Sequence, residues 1–438
     1  MLSFLEAFIL FQIAYWSLTG ISYVVTYIRG RFYVAGRTDK PANNVVLVIV
    51  TKASKNVRDS LYHTIDNVKN IAQKHNIDFK IVVDEGSDLQ SELELIYRDH
   101  IIVVPKDYTR GNLVGKGRAI QYFVENFLKE DYWYAFVDDD NLILTDDFLY
   151  EIPYYERDER YAAANPVLVP RWGRSVITYI LDAMRYLMDI SYYRFFIGIK
   201  GKPLIGLHGE LLVVRGKVLK EIGFKKRSIV EDFYFAGELI RRGYKTWQSR
   251  TKISILSPNS LKDFFIQRGR WFTGIISELR GCDRLERGKC PGIPWNMRLY
   301  SSIMLGTWII SPAGAMVWWV IWPLLILFLR VDTDLPLSVG YVYAALTLIG
   351  ALFYGFYLSH IYKYVKARCF HRPSRRRSIK TLIAVLLSIL LSIGLFFYQL
   401  IDTISWAIGF LLYKNKNKFV VINKNISGKK TLWDRICS

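Results

Sequence analysis

Cysteine is scarce in this chain: four residues among 438, Cys282, Cys290, Cys369 and Cys437, stand far apart without C-x-x-C spacing or clustered histidines. That argues against a disulfide framework or a zinc site, and leaves reduced thiols facing a cytosol as the simplest expectation. Acid is also short, with 39 Asp and Glu against 59 Lys and Arg, a net charge of +20. A basic excess of that size suits nucleic acid, anionic lipid or phosphorylated substrates. There is no internal repeat and no low-complexity linker. Against that scarcity, "DYWYAFVDDDNLIL" (Asp131–Leu144) spends three consecutive carboxylates at the end of an apolar run.

Several long runs lack charge altogether. A transmembrane helix needs about 20 apolar residues. Ala7–Ile28 is uncharged and is followed by Arg29, Arg31, Arg37 and Lys40. Without a basic leader or small-residue cleavage site it reads as a retained anchor, and its basic flank puts the downstream chain in the cytosol. Leu299–Leu329 (interrupted by Pro312 and Pro323), Leu337–Tyr362 and Thr381–Ile401 read as further spans. The loop "KYVKARCFHRPSRRRSIK" is a cytosolic signature. Keeping the basic tail "KNKNKFVVINKNISGKK" inside requires an even number of crossings in Leu299–Leu329 or in Thr381–Tyr413, or one interfacial piece, giving about four or five crossings. The expected organisation is an anchor over residues 1–41, a cytosolic domain over 42–290, transmembrane or interfacial helices over 291–413 and a basic cytosolic tail over 414–438.

Between Asn43 and Cys290, short apolar runs alternate with helical patterns. "VVLVIV" (Val45–Val50), "FKIVVDEGSD", "IIVVP" and "YWYAFVDDD" read as strands, with helices at about Val57–Lys74 and through "RAIQYFVENFL". The alternation predicts a mostly parallel, Rossmann-like α/β sheet covered on both faces. Ligands bind at the carboxyl ends of such strands, and here those ends are polar: "TKAS" from Thr51, "DEGSD" from Asp84, and "DDD". Farther on, Thr178, Asp182, Arg185 and Asp189 recur at a helical period within "SVITYILDAMRYLMDISYYRFF". That helix lies either on a membrane surface or against its own domain.

Four stretches carry chemistry. Asp138 and Asp140, two apart, project to one side of an extended chain, where paired carboxylates suit an oxygen-coordinated Mg²⁺ or Mn²⁺; the bland alternative is a solvated acidic turn. Glu231 and Asp232 open an amphipathic helix, either as acids favoured by the helix dipole or with one as a general base for a hydroxyl. Gln267, Arg270 and Trp271, at i, i+3 and i+4, share a helical face, which suits a phosphorylated sugar or equally an interfacial Trp with snorkelling Arg. "YTRGNLVGKGRAI" has Gly111, Gly115 and Lys116 at the wrong spacing for a nucleotide-triphosphate loop, with Arg118 near where the hydroxyl belongs. Lys116 and Arg118 entering a helix can still neutralise a diphosphate.

The order of these motifs resembles the membrane-embedded family-2 glycosyltransferases with a GT-A domain, which include hyaluronan, chitin and cellulose synthases. The resemblance is strongest to the Egghead-type β-1,4-mannosyltransferases. It rests on "IIVVPKDYTRGNLVGKGRAIQYFVEN", "GKPLIGLHGELLVV", "VEDFYFAGELIRRGY", "FFIQRGRWFTGI" and "NKFVVINKN", and covers most of Val45–Ile275. It implies a GT-A fold with Thr51, Asp84, Lys116, Asp138 and Arg270 on the nucleotide-sugar donor. Asp138 and Asp140 would hold Mg²⁺ or Mn²⁺, and Asp232 would be the catalytic base. Gln267, Trp271, Gly206 and His208 would lie on the acceptor side.

The activity implied is inverting transfer from a UDP- or GDP-sugar to a glycan or glycolipid hydroxyl beside a lipid bilayer. It would run either as a processive polysaccharide synthase or as a single-sugar transferase to a lipid-linked acceptor. Nothing in the basic excess requires nucleic acid, and no recognition motif is present. A transporter with a cytosolic nucleotide-sensing domain is the non-enzymatic alternative. It would place ionisable residues inside the spans, where only His360 and Asp402, at segment ends, are candidates.

Overall fold

In the computed structural model of the chain, the first apolar run after Asn44 is a strand buried at every position. The structure describes residues 4–108, 112–171, 173–280, 293–316 and 404–412, with positions 341, 382, 386 and 401. The elements begin with α1 (Phe4–Arg31), β1 (Val45–Thr51), α2 (Arg58–His75), β2 (Asp78–Asp84), α3 (Gln90–Ile96) and β3 (Ile101–Val104). They continue with α4 (Gly115–Asn126), β4 (Trp133–Asp138), β5 (Leu142–Ile143), α5 (Asp147–Tyr155), β6 (Tyr161–Arg171) and α6 (Val176–Met188). After a π-helical stretch (Asp189–Ile199) come β7 (Leu211–Arg215), α7 (Gly216–Ile222), α8 (Glu231–Arg241), β8 (Lys245–Leu256), α9 (Leu261–Arg280) and α10 (Trp295–Met316).

A strand apolar on both faces needs cover on both, and β1 has it. Val45, Leu47 and Ile49 share a core with Leu61, Ile65, Val68 and Ala72 of α2, a single helical stripe. On the other face, Phe123 of α4 meets Tyr134 and Phe136 of β4 edge-on, at centroid separations of 5.4 and 6.3 Å.

Among the described residues the strands form one sheet in the order β3-β2-β1-β4-β7-β6-β8-β5. The expected α/β sheet is present and mostly parallel, with β7 and β5 running against the other strands. β3, β2, β1 and β4 run parallel, β7 runs against both β4 and β6, β6 pairs parallel with β8, and β5 runs against β8. This reversal positions the site. Parallel strands deliver Thr51, Asp84 and Asp138 to one edge, and because Val137 of β4 faces Leu211 of β7, the residues entering β7 arrive at the same edge.

Helix α6 and the π-helical stretch after it pack on their own domain with the polar stripe turned inward. Thr178, Asp182 and Asp189 are buried, and Thr178 Oγ1 donates to Pro258 O at 2.6 Å. Each of these buried polar groups has a partner, which is what makes the inversion tolerable. Helix α9 is backed by the helix over residues 405–412. A Cβ on Gly269 or on Gly409 would overlap the other's backbone, and Phe272 packs edge-on against Trp406 and Phe410 at 5.3 and 5.5 Å.

The chain divides into two compact units, one of Met1–Ile28, Met304–Ile404 and Gly428–Ser438, the other of Arg29–Ile303 and Ser405–Ser427. Among the described residues no helix is long and apolar enough to cross a membrane. The runs Leu337–Tyr362 and Thr381–Ile401 (apart from positions 341, 382, 386 and 401), the second half of Leu299–Leu329, the basic tail, His360, Asp402, Gly111 and all four cysteines lie outside the described residues.

Candidate active site

At the shared strand edge β4 stops at Asp138, and Asn141 N donates to Asp138 O at 3.2 Å to close a turn. The directions of the three aspartates are therefore set by turn geometry rather than by strand alternation. Asp139 accepts from Thr51 Oγ1 at 2.7 Å, and Thr51 Oγ1 accepts from Ala53 N at 2.9 Å. The Thr51 hydroxyl, expected on the donor, is thus engaged in ordering the strand end. Asp138 Oδ1 accepts from Lys116 Nζ at 2.5 Å, and Asp140 is 3% exposed.

Lys116 stands in the first turn of α4 and also donates to Gly209 O. A Cβ placed on Gly209 would lie 3.3 Å from both Lys116 Nζ and Asp232 Oδ2, and 3.7 Å from Glu231 Oε1. Four elements thus bring a cation and several carboxylates around one glycine: β4, the start of α4, the entry to β7 and the start of α8.

Burial governs the electrostatics here. Burial alone would lower the Lys116 ammonium, but Asp138, Glu231 and Glu210 outweigh it and hold the group above its ordinary value. Burial, with Glu210 and Asp140, holds Asp138 above the usual carboxylate range, although Lys116 opposes it. Burial and then Asp232 push Glu231 up to about 7, while burial and then Glu210 push Asp232 up to about 6. Glu210 goes the other way. Burial opposes its ionisation, yet Arg185 and then His208 hold it down to about 2. A proton acceptor with raised affinity thus faces a neighbour kept ionised, a division of roles seen where acid–base work is done.

The other predicted residues lie along the rim and in the flanking segments. Asp84 accepts from Arg118 Nη1 at 2.7 Å at the rim of a cleft of ≈ 550 Å³, also lined by Lys52, Lys106, Tyr108 and Arg227. Burial raises Asp84 against the pull of Arg118 and Lys52. Arg118, expected beside Lys116 at a diphosphate, braces the turn after β3, donating to Asp84, Pro105 O and Tyr108 O. His208 Nε2 lies 2.6 Å from Asp189 Oδ1, its ring stacks on Tyr193 at 4.2 Å, and its N–H donates to Asn165 Oδ1 at 2.7 Å. Gly206 has φ of 97°, and a Cβ there would lie 2.9 Å from the Phe233 ring, so the backbone itself demands glycine. Gln267 is buried, and among the described residues its Oε1 has no hydrogen-bond partner. Arg270 and Trp271 of α9 are half-buried.

Two residues here, Glu210 and Arg185, went unassigned in the sequence, and Glu231 was named there only as one of two candidates for a base. Their signals were present, in "GLHGE", in "VED" and in the helical period of Asp182, Arg185 and Asp189. Their inward orientation was not.

Among the described residues no group of three or more His, Cys, Asp or Glu is arranged to hold a metal ion. Asp138 and Asp140 nonetheless supply oxygen donors close enough for one charge to raise the other's proton affinity. Mg²⁺ and Mn²⁺ favour oxygen ligands, and Mg²⁺ is typically held by one or two carboxylates plus water and substrate phosphates. In the chemistry of its donor atoms the pair fits such an ion.

The profile of "Glycosyl transferase family group 2" matches residues 133–358. Beta-1,4-mannosyltransferase bre-3 of Caenorhabditis elegans is 27% identical over 214 residues, 47% of this chain and 46% of that protein. Beta-1,4-mannosyltransferase egh of Drosophila melanogaster is 26% identical over 250 residues, 54% of this chain and 51% of that protein. The chain thus spans about half the length of these relatives. A solved structure titled "Mannosyltransferase PcManGT from Pyrobaculum calidifontis in complex with GDP-Man and Mn2+" superposes with a TM-score of 0.49 at 13% identity, over 92% of this chain and 99% of that one. A likeness of that degree says nothing about substrates. The profile match covers more than half of the chain, and the chain belongs to glycosyl transferase family group 2.

Proposed function

We propose that the chain transfers a sugar from a nucleoside-diphosphate sugar to an acceptor hydroxyl with inversion at the anomeric carbon. The observation that carries this is the buried convergence of Lys116, Asp138, Glu231 and Asp232 around Gly209. The nucleoside would lie in the cleft beside Asp84, Lys52 and Arg118. Asp138 and Asp140 would hold Mg²⁺ or Mn²⁺, which, when bound, offsets the charge of the diphosphate.

Asp232 accepts the proton of the acceptor hydroxyl as that oxygen attacks the anomeric carbon. The bond from that carbon to the phosphate oxygen breaks, and the nucleoside diphosphate departs with the electron pair. Lys116 and Arg270 stabilise the charge that develops on it. A carboxylate whose affinity for protons is raised to about 6 suits this task near neutral pH. Gln267, Trp271, Gly206 and His208 would frame the acceptor, with Trp271 as its platform.

Relatives named as β-1,4-mannosyltransferases make mannose the first sugar to test. The uncharged runs on either side of the domain support attachment to a bilayer with the site on its cytosolic face. The test is incubation of purified protein with labelled UDP- and GDP-sugars, Mg²⁺ or Mn²⁺ and lipid or glycan acceptors. Product size separates a processive synthase from a single-sugar transferase. The absence of transfer from every donor, with Asp232→Asn indistinguishable from wild type, overturns the assignment.

A further inference from the structure

Two charged residues one turn apart on α6 have partners on different elements. Asp182 Oδ1 accepts from Arg268 Nη2 of α9 at 3.0 Å, with side chains only 2% and 7% exposed. Arg185 is paired with Glu210, at the entry to β7. Both guanidinium groups reach the same ring, for the Cζ atoms of Arg185 and Arg268 each lie 4.8 Å from the centroid of Trp271. A planar cation stacks on indole as an ammonium cannot. The Trp271 ring is thus held by two cations, and each cation is held by a carboxylate.

Glu210 is also the residue after Gly209, whose carbonyl receives Lys116 Nζ. A continuous series of contacts therefore runs from Trp271 through Arg185, Glu210 and Gly209 to Lys116 and Asp138. Buried ion pairs contribute little net stability, and apolar side chains would pack α6 against α9 at lower desolvation cost. What a planar, ion-paired cation adds is direction.

Resting on the proposed glycosyl transfer, we propose that Arg185 is a positioning residue that locks the Trp271 acceptor platform to the Gly209–Glu210 segment, so that the acceptor hydroxyl meets Asp232. It touches neither donor nor acceptor. It acts through the ring on one side and the carboxylate on the other.

Arg185→Lys keeps the charge and the pairing with Glu210 but removes the planar group over the indole. Asp182→Asn releases Arg268 from the other side. Steady-state transfer, donor hydrolysis without transfer, and Mn²⁺-dependent nucleoside diphosphate binding are measured on the same preparations. Both variants are expected to bind nucleoside diphosphate within about twofold of wild type while the acceptor KM rises about tenfold or more. The ratio of donor hydrolysed to donor transferred rises with it, because water competes for a misplaced acceptor's position. An acceptor KM unchanged in Arg185→Lys overturns the proposal. So does nucleoside diphosphate binding lost in step with transfer, which would mark Arg185 as a support of the fold alone. Wild-type protein that binds nucleoside diphosphate but transfers no sugar defeats the transferase assignment itself, and the role of Arg185 falls with it.

Discussion

Lys116 Nζ lies 2.5 Å from Asp138 Oδ1 and also donates to Gly209 O, so one ammonium group joins the end of a parallel strand to the loop entering an antiparallel one. In the proposed transfer, that cation meets the charge of the diphosphate. Replacing it with an uncharged side chain, as in Lys116→Met, should weaken nucleoside diphosphate binding by about ten- to a hundredfold, equivalent to about 1.5–3 kcal/mol for a charge-assisted hydrogen bond. Equilibrium titration of the nucleoside diphosphate measures this directly.

As the proposed base, Asp232 would work only when ionised. Burial and Glu210 raise it to about 6, so the rate at saturating substrate should climb as pH rises through about 6 and level off above it. Asp232→Asn should remove that limb and lower turnover by about 10²–10⁴-fold while leaving donor binding intact. Glu231→Gln is the control, since it sits at the same glycine but keeps the Asp232 carboxylate. A pH–rate profile of the three proteins decides between the two acids.

Chelation should abolish transfer, and re-addition of Mg²⁺ or Mn²⁺ should restore it. Asp138→Asn and Asp140→Asn should each remove the dependence of nucleoside diphosphate binding on the divalent ion. Titrations with and without Mn²⁺ check this without relying on turnover.

Gly206→Ala tests a steric requirement rather than a chemical one. At φ of 97°, with the Phe233 ring 2.9 Å from an added Cβ, the substitution should cost about 1–3 kcal/mol. Because Phe233 is the next residue after Asp232, turnover should fall as well. Thermal unfolding together with a rate measurement separates the two effects.

The strand ends were legible because apolar runs such as Val45–Val50 and Trp133–Val137 break abruptly into polar residues, and burial on both faces leaves no ambiguity of period. The later strands were harder to read. β6 carries Pro166 and Pro170 and shifts register between Asn165 and Val167. β8 places Thr246, Gln248, Ser249 and Thr251 in the interior, where they resemble a solvated strand. Their burial depends on partners far away in the chain: Asn165 Nδ2 donates to Gln248 Oε1, and Phe148 N donates to Thr251 Oγ1. The same holds for the site. Asp138 was found from its own neighbours, but Arg185, Asp189 and Glu210 are explained by one another and by His208, Leu168 and Trp271, and no local pattern encodes a pairing between segments. Polar residues at helical spacing mark a face without saying whether it meets water or a buried counter-charge.

The glycine-to-glycine crossing of Gly269 and Gly409 imposes a timetable. Apart from Arg270, the residues that would grip the nucleotide and the sheet that carries them are complete in the chain by residue 256, yet the helix bearing Gln267, Arg270 and Trp271 gains part of its backing only from residues beyond 404. A nascent chain would thus form its donor half first and finish its acceptor half last. Chains halted between those points should still bind nucleoside diphosphate before they can hand a sugar on.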